Sequence, residues 1–344
     1  MHELVSIVTP TYNRSHFLKD VIDSLSQQTY PHWELLIVDD GSTDNTRDIL
    51  HECTDKRVRY LQRNRAPKGA NTCRNIGMDE AKGEFLIFLD SDDYLASFAL
   101  SKRLTYLKEH PELDFAVFPG LCFIQNPGDD RRIAGNITEV GQELEAFLNR
   151  HNPWQTSGPL WRVSSLRIAK IRWHEGLKIF QDVDFHIRAL AAQLNYANLQ
   201  DEQPDFFWRN HTGDKITNHS TYVMHHAACV LFIDDVAREL ARKQLLNERK
   251  RGLLANYLFY IARIITQEKE WGIAIEVWYF ALEESYVTKN KFYKGCFLLS
   301  LFRIFYFKWM RESLVVKRVL KQIYRRLNFD KTSVQPLYQG KVKL

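Results

Sequence analysis

The 344-residue chain reads as an α/β protein: a mostly parallel sheet flanked by helices, followed by an all-helical C-terminal extension. Three observations predict this. Short apolar runs alternate with helix-period segments through the first third of the chain, as βαβ units do. Runs such as Phe85-Leu86-Ile87-Phe88-Leu89 are apolar at every position, the pattern of a strand covered by helices on both faces. From about residue 222 onward no strand pattern recurs, and the sequence stays helical to about 328.

Taken in order, strands are predicted at 4–9, 34–38, 57–61, 84–89 and 114–118, and helices at 15–28, 44–53, 70–81 and 97–109. Ser42-Thr43-Asp44 offers a helix N-cap, and Pro111 follows a helix end. Asn126-Pro127-Gly128-Asp129-Asp130 is a loop. Segments 143–150 and 182–193 carry helical patterning between breaks at Pro153, Pro159 and Pro204. No internal repeat or low-complexity segment is evident.

With 45% hydrophobic and 26% charged residues the composition is that of a globular protein with ample core. Val5-Ser6-Ile7-Val8 reads as a first strand rather than the apolar part of a signal segment. Five cysteines, at 53, 73, 122, 229 and 296, are scattered and form no CxxC pair. That argues against a disulfide framework or zinc site and for a reducing, cytoplasmic setting. The formal charge of +5 conceals an asymmetry: 289–344 holds 14 Lys and Arg against 2 acids, about +12, leaving about −7 on the rest.

The most informative segment is the apolar run ending in Asp90-Ser91-Asp92-Asp93. In open α/β sheets the ligand crevice lies beyond the carboxyl ends of the strands. Carboxylates gathered there call for a cation, and hard oxygen ligands suit Mg²⁺ or Mn²⁺ accompanied by phosphate. The plain alternative is an acidic helix cap, which suits Asp93. Three other motifs surround it. Pro10-Thr11-Tyr12-Asn13 follows the first strand as a turn. Val38-Asp39-Asp40-Gly41-Ser42-Thr43-Asp44 ends the second strand with paired acids able to accept hydrogen bonds from a base or ribose. Arg74-Asn75-Ile76-Gly77 lies on the helix before the carboxylate strand and offers a guanidinium for phosphate or carboxylate. Neither G-x-G-x-x-G nor a P-loop is present, which counts against a dinucleotide oxidoreductase and a P-loop NTPase.

In order and spacing these four motifs resemble the nucleotide-binding half of the family 2 glycosyltransferases, whose Rossmann-like fold is called GT-A. Cys73 stands where the family often has Ala. The resemblance implies a catalytic domain at 1–220, with 1–120 binding nucleotide and 121–220 facing the acceptor, and a helical region at 221–344. It implies that Asp40 recognises the base of a nucleoside diphosphate sugar, usually uracil, with Pro10, Thr11, Tyr12 and Asn13 around it. Arg74 would approach the diphosphate or ribose, Asp90 and Ser91 the ribose side, and Asp92 would ligate the metal.

Gln181-Asp182-Val183-Asp184-Phe185 resembles the family's E-D-x-D-F segment, with Gln181 in place of the common Glu. Asp182 would then be the general base of an inverting transfer; read plainly, it caps a helix. Trp208-Arg209-Asn210-His211 resembles a segment whose His completes the metal site. Trp154 and Trp161 lie where the family builds its acceptor loop, and Trp161 is expected in the core.

Residues 297–310 are too short and too charged for a membrane span. Val316, Val319, Leu320, Ile323 and Leu327 recur at helical spacing among basic residues, so 291–328 is expected to lie on an anionic membrane surface. No nucleic-acid module surrounds the charge. The expected activity is transfer of a sugar, from UDP by preference, to a glycan or lipid-linked glycan in bacterial surface polysaccharide assembly. The alternatives are a sugar nucleotidyltransferase and, because of Gln181, a non-catalytic nucleotide-sugar-binding scaffold.

Overall fold

The computed structural model describes residues 3–130, 132–136, 138–210 and 219–305. His211 and the stretch from 306 to 344 lie outside the described residues, so the expected metal-completing His and most of the basic segment 291–328 do too.

The first half alternates as predicted: β1 (Val5–Thr11), α1 (Ser15–Ser26), β2 (Trp33–Asp39), α2 (Thr46–Glu52), β3 (Val58–Gln62), α3 (Ala70–Glu80) and β4 (Phe85–Phe88). Then come β5 (Tyr94–Leu95), α4 (Ala99–Glu109), β6 (Phe115–Val117), β7 (Gly120–Phe123) and α5 (Glu143–Leu148). Next follow β8 (Pro159–Arg162), α6 (Val163–Ile168), α7 (Gln181–Ala191), β9 (Tyr196–Asn198) and β10 (Phe206–Arg209). The helical region is α8 (His219–Met224), α9 (His226–Arg242), α10 (Glu248–Gln267), α11 (Trp271–Glu283) and α12 (Lys289–Phe305).

The main sheet runs β3-β2-β1-β4-β8-β6-β9. Its first four strands are parallel, and β8 is antiparallel to both β4 and β6. Every residue of β1, β2 and β4 is buried, which is why their sequences are nearly unbroken apolar runs. Register places Thr11 opposite Asp39 and Asp39 opposite Gln62, while Val8 lies opposite Phe88. The carboxyl ends of β1, β2 and β4 therefore share one edge, and each of the first, second and fourth motifs starts there. A second sheet, β5-β10-β7, stands beside this edge. It is anchored by a fully buried ion pair, Arg103 on α4 with Asp205: Nη2 lies 2.6 Å from Oδ1, and Nη1 donates to the Ser157 carbonyl at 2.9 Å. Leaving either charge alone there would cost several kcal/mol, roughly 3–5.

Gly77 lets α3 press onto β1: a Cβ there would sit 2.3 Å from a Val8 methyl carbon. That contact brings Arg74, one turn earlier on the same helix, down to the strand edge. Trp161 and Trp154 are both core residues, exposed by 1% and 2%. The same hydrophobic cluster runs without interruption from Val8 and Phe88 in the sheet, through Phe185 on α7, to Phe232, Tyr257 and Leu299 in the helical region.

Candidate active site

The turn after β1 is stapled to the turn after β2. Asn13, at φ 52°, accepts the Thr43 amide at 2.8 Å, and its own amide donates to Ser42 Oγ at 2.9 Å. Asp44 Oδ2 accepts the Ser15 amide and Oδ1 accepts the Thr46 amide, but the N-cap of α2 is Asn45, one residue beyond the predicted 42–44, and its side chain makes no capping bond. Burial opposes ionisation of Asp44, but these hydrogen bonds prevail and lower its pKa to about 2.

The paired acids behind this turn are both buried yet differently engaged. Asp39 is filled locally, accepting from Ser42 through Oδ1 and from Tyr60 through Oδ2. Asp40 gives Oδ1 to the Arg63 Nε at 2.5 Å and to the Gly69 amide at 3.1 Å, while Oδ2 has no hydrogen-bond partner among the described residues. Gly69 adopts φ +145°, a backbone that favours glycine, and so aims the first turn of α3 at Asp40. The Tyr12 ring is 44% exposed beside this acid, with the Lys68 ammonium 3.6 Å from its centroid. Thr11 Oγ1 is buried with no hydrogen-bond partner. One accessible aromatic face and one carboxylate oxygen are the components a planar base with a polar N–H would use.

The carboxylate turn after β4 closes through an Asp93 amide to Asp90 carbonyl bond of 3.1 Å. Asp93 is 1% exposed and structural: it accepts Ser157 Oγ at 2.7 Å and the Arg209 amide at 3.2 Å. Burial, and then repulsion from Asp92 and Asp90, push its pKa up. Arg209, on β10, was not singled out from the sequence. Its Nε holds the Asp92 carbonyl at 3.2 Å and its Nη2 bonds the Tyr94 hydroxyl, so it fixes the turn from the second sheet. It belongs to the Trp208–His211 segment, where the resemblance pointed to the His, and only strand pairing reveals what the Arg does.

Arg74 is buried against the Trp173 ring, with its guanidinium carbon 4.3 Å from the centroid. Nη2 bonds Asp90 at 2.7 Å, and Nη1 reaches Gln181 Oε1 at 3.5 Å and Asn71 Oδ1 at 3.4 Å. This side chain physically connects the carboxylate turn to the start of α7. Gln181 is oriented by donating Nε2 to the Leu177 carbonyl at 3.2 Å, a bond a Glu could not make. Asp182 lies inside the first turn of α7, not ahead of it, and the helix has no side-chain cap. Its carboxyl is pushed above the ordinary range by burial and by Asp90, with Arg74 pulling the other way.

Asp92 offers a hard oxygen donor of the kind suited to Mg²⁺ or Mn²⁺, while Asp90 is held by Arg74. Among the described residues no three His, Cys, Asp or Glu side chains converge as a complete cage. Such an edge fits an ion that takes its remaining ligands from phosphate oxygens and water, and the repulsion felt at Asp93 is what such a cation relieves.

Comparison with known proteins follows from this geometry. The model of glycosyl transferase family 2 matches residues 6–161, which hold all four nucleotide-side motifs. That match agrees with the resemblance the four motifs carry. An *Escherichia coli* relative, the UDP-Glc:alpha-D-GlcNAc-diphosphoundecaprenol beta-1,3-glucosyltransferase WfgD, is 42% identical over 104 residues, 30% of this chain and 41% of the relative. The GalNAc(5)-diNAcBac-PP-undecaprenol beta-1,3-glucosyltransferase of *Campylobacter jejuni* is 32% identical over 143 residues, 41% of this chain and 45% of the relative. The chain thus spans under half the length of each. The structure of *Staphylococcus aureus* TarS residues 1–349 in complex with UDP-GlcNAc superposes with a TM-score of 0.64 at 20% identity, covering 94% of this chain and 92% of that one. The fold is GT-A, with a helical C-terminal region.

Proposed function

We propose that this protein is an inverting glycosyltransferase that moves a sugar from a nucleoside diphosphate sugar, a UDP-sugar by preference, to a hydroxyl of a glycan or lipid-linked glycan in bacterial surface polysaccharide assembly. The observation that carries this reading is the connection Asp90–Arg74–Gln181. It sets a carboxylate of raised pKa, Asp182, beside the carboxylate turn that would receive a diphosphate. The diphosphoundecaprenol-linked acceptors of the two relatives support the acceptor class, and the UDP-GlcNAc complex of TarS supports the donor.

In this reading residues 1–220 form the catalytic domain. Asp40 accepts the base N–H through Oδ2, with Pro10, Thr11, Tyr12 and Asn13 shaping the slot. Asp90 and Ser91 face the ribose, and Arg74 holds Asp90 rather than floating free for phosphate. Asp92, with His211 by resemblance, would hold Mg²⁺ or Mn²⁺, which when bound neutralises the diphosphate as it leaves. Asp182 takes the proton from the acceptor hydroxyl while that oxygen attacks C1 from the face opposite the diphosphate. A carboxylate is a weak base for a hydroxyl, so removal is concerted with attack, and a raised pKa makes Asp182 a better base. No helix among the described residues is long and apolar enough to cross a membrane. The basic segment 291–328 would bring the enzyme to the surface where a lipid-linked acceptor resides.

A thermal-shift screen of UDP, GDP and dTDP sugars with Mn²⁺ tests the reading, since a ligand of the folded state raises the melting temperature. A shift with one nucleotide class, followed by a product of inverted anomeric configuration, is expected. No shift with any of them overturns it.

A further inference from the structure

Arg150 ends α5 at φ 63°, where α5 packs against both α7 and α10. Its guanidinium carbon lies 3.8 Å from the Tyr260 ring centroid and 5.9 Å from that of Tyr257. Among the described residues no carboxylate lies within ion-pair distance of it, and the side chain is partly exposed. The neighbouring acid on α5, Glu145, is taken by Lys250 at 2.9 Å. Tyr222 and Tyr257 are buried behind Arg150, and both pack against Phe180, the residue that precedes α7. Phe180, which both tyrosines touch, directly precedes the helix that carries Asp182, so Arg150 and Asp182 are linked through one cluster of rings. Stacking on an aromatic face fixes the guanidinium plane and leaves its edge N–H groups for a ligand.

We propose that Arg150, framed by Tyr222, Tyr257 and Tyr260, is an anion subsite for the acceptor that takes a phosphate-type oxyanion attached to the sugar being extended. This rests on the reading of Asp182 as the base that faces the acceptor. The stacking holds the charge in place while no carboxylate neutralises it, and a planar fork suits the paired oxygens of a phosphate or diphosphate. Tyr260 is the partly exposed ring that carries the guanidinium, and the buried Tyr222 and Tyr257 back it. The subsite is separate from the donor's own diphosphate site, which lies at the carboxylate turn.

The test is calorimetric titration of monomethyl diphosphate into the full chain with the donor site saturated by UDP. Wild type is expected to bind, Arg150→Gln to bind at least about tenfold more weakly, and Arg150→Lys to fall between, as loss of a charged hydrogen-bonding fork implies. Methyl glucuronide, a carboxylate of similar size, is expected to show no Arg150-dependent binding. Absence of binding to wild type, equal binding by Arg150→Gln, or dependence on Arg150 for the glucuronide alone overturns the proposal. So does a fall in UDP affinity and melting temperature of Arg150→Gln that matches its loss of diphosphate binding, since that marks a structural role. Failure of the functional reading is seen separately, as absence of nucleotide-sugar hydrolysis by wild type with Mn²⁺.

Discussion

Asp40 and Asp182 are held in place by different means. Asp40 is gripped by Arg63 and Gly69, 23 and 29 residues away in sequence, through short hydrogen bonds at the ends of adjoining elements. Asp182 rides on a helix whose entry residue, Phe180, is wedged between rings of Phe232 at 4.9 Å and Tyr257 at 5.2 Å, both from the helical region. The nucleotide side is thus a local construction of β-strand ends and turns. The acceptor side is a tertiary one, aligned by apolar packing from segments distant in sequence. Local hydrogen-bonded sites leave sequence motifs; packed sites do not.

The largest expected effect falls on the acceptor side. Asp182→Asn should lower transfer by about a thousandfold, the scale of losing a general base, with UDP affinity unchanged by calorimetry. A loss of UDP affinity in this variant would show that the two sides are not separable. Arg74→Met removes the connection between them and strands Asp90; partial exposure of Asp90 limits the cost, and urea unfolding should report about 2 kcal/mol lost. Arg63→Gln perturbs the nucleotide side alone, and steady-state kinetics should show the donor KM rising about tenfold while kcat stays within a factor of two. The smallest effect is Asp44→Asn, about 1–2 kcal/mol at neutral pH by thermal unfolding. Its sign with pH follows from a folded pKa of about 2 lying below the unfolded 3.8. The stabilisation is complete above 3.8 and disappears as pH falls toward 2.

The pH profile sharpens the same contrast. Asp182 must be ionised to act, and its pKa is raised, so kcat should fall on acidification from a pH above the ordinary Asp range of about 4. Binding of UDP should persist through that limb. A profile flat down to pH 4 would remove Asp182 from the role of base.

This division explains what the sequence disclosed. β2 and β4 were legible because burial on both faces favours apolar runs, β1 and β3 by their place in the βαβ alternation, and the four motifs because each sits at one strand end or helix start. β5, β8, β9 and β10 were not, being two to four residues long and paired to strands far away. The role of Arg209, which holds the carboxylate turn, was hidden for that reason although its segment had been recognised. The buried Arg103–Asp205 pair was equally silent, since charged residues ordinarily mark surface. Trp154 is core because it meets Phe147 and His186 edge-on, contacts no local pattern could announce. Gln181 was visible as a departure from the family pattern, but its meaning required the structure: its amide N–H satisfies a carbonyl while its Oε1 accepts from Arg74.

The uninterrupted apolar cluster from the sheet to α12 has a consequence for how the molecule melts and how it can be cut. Phe185 on α7 and Tyr257 on α10 belong to that one cluster, so unfolding either region strips the other of its partner surface. A fragment ending near residue 220 would bare the faces that receive Phe232 and Tyr257, and is expected to aggregate rather than fold as a minimal enzyme. Calorimetry of the whole chain should show a single cooperative endotherm through these elements.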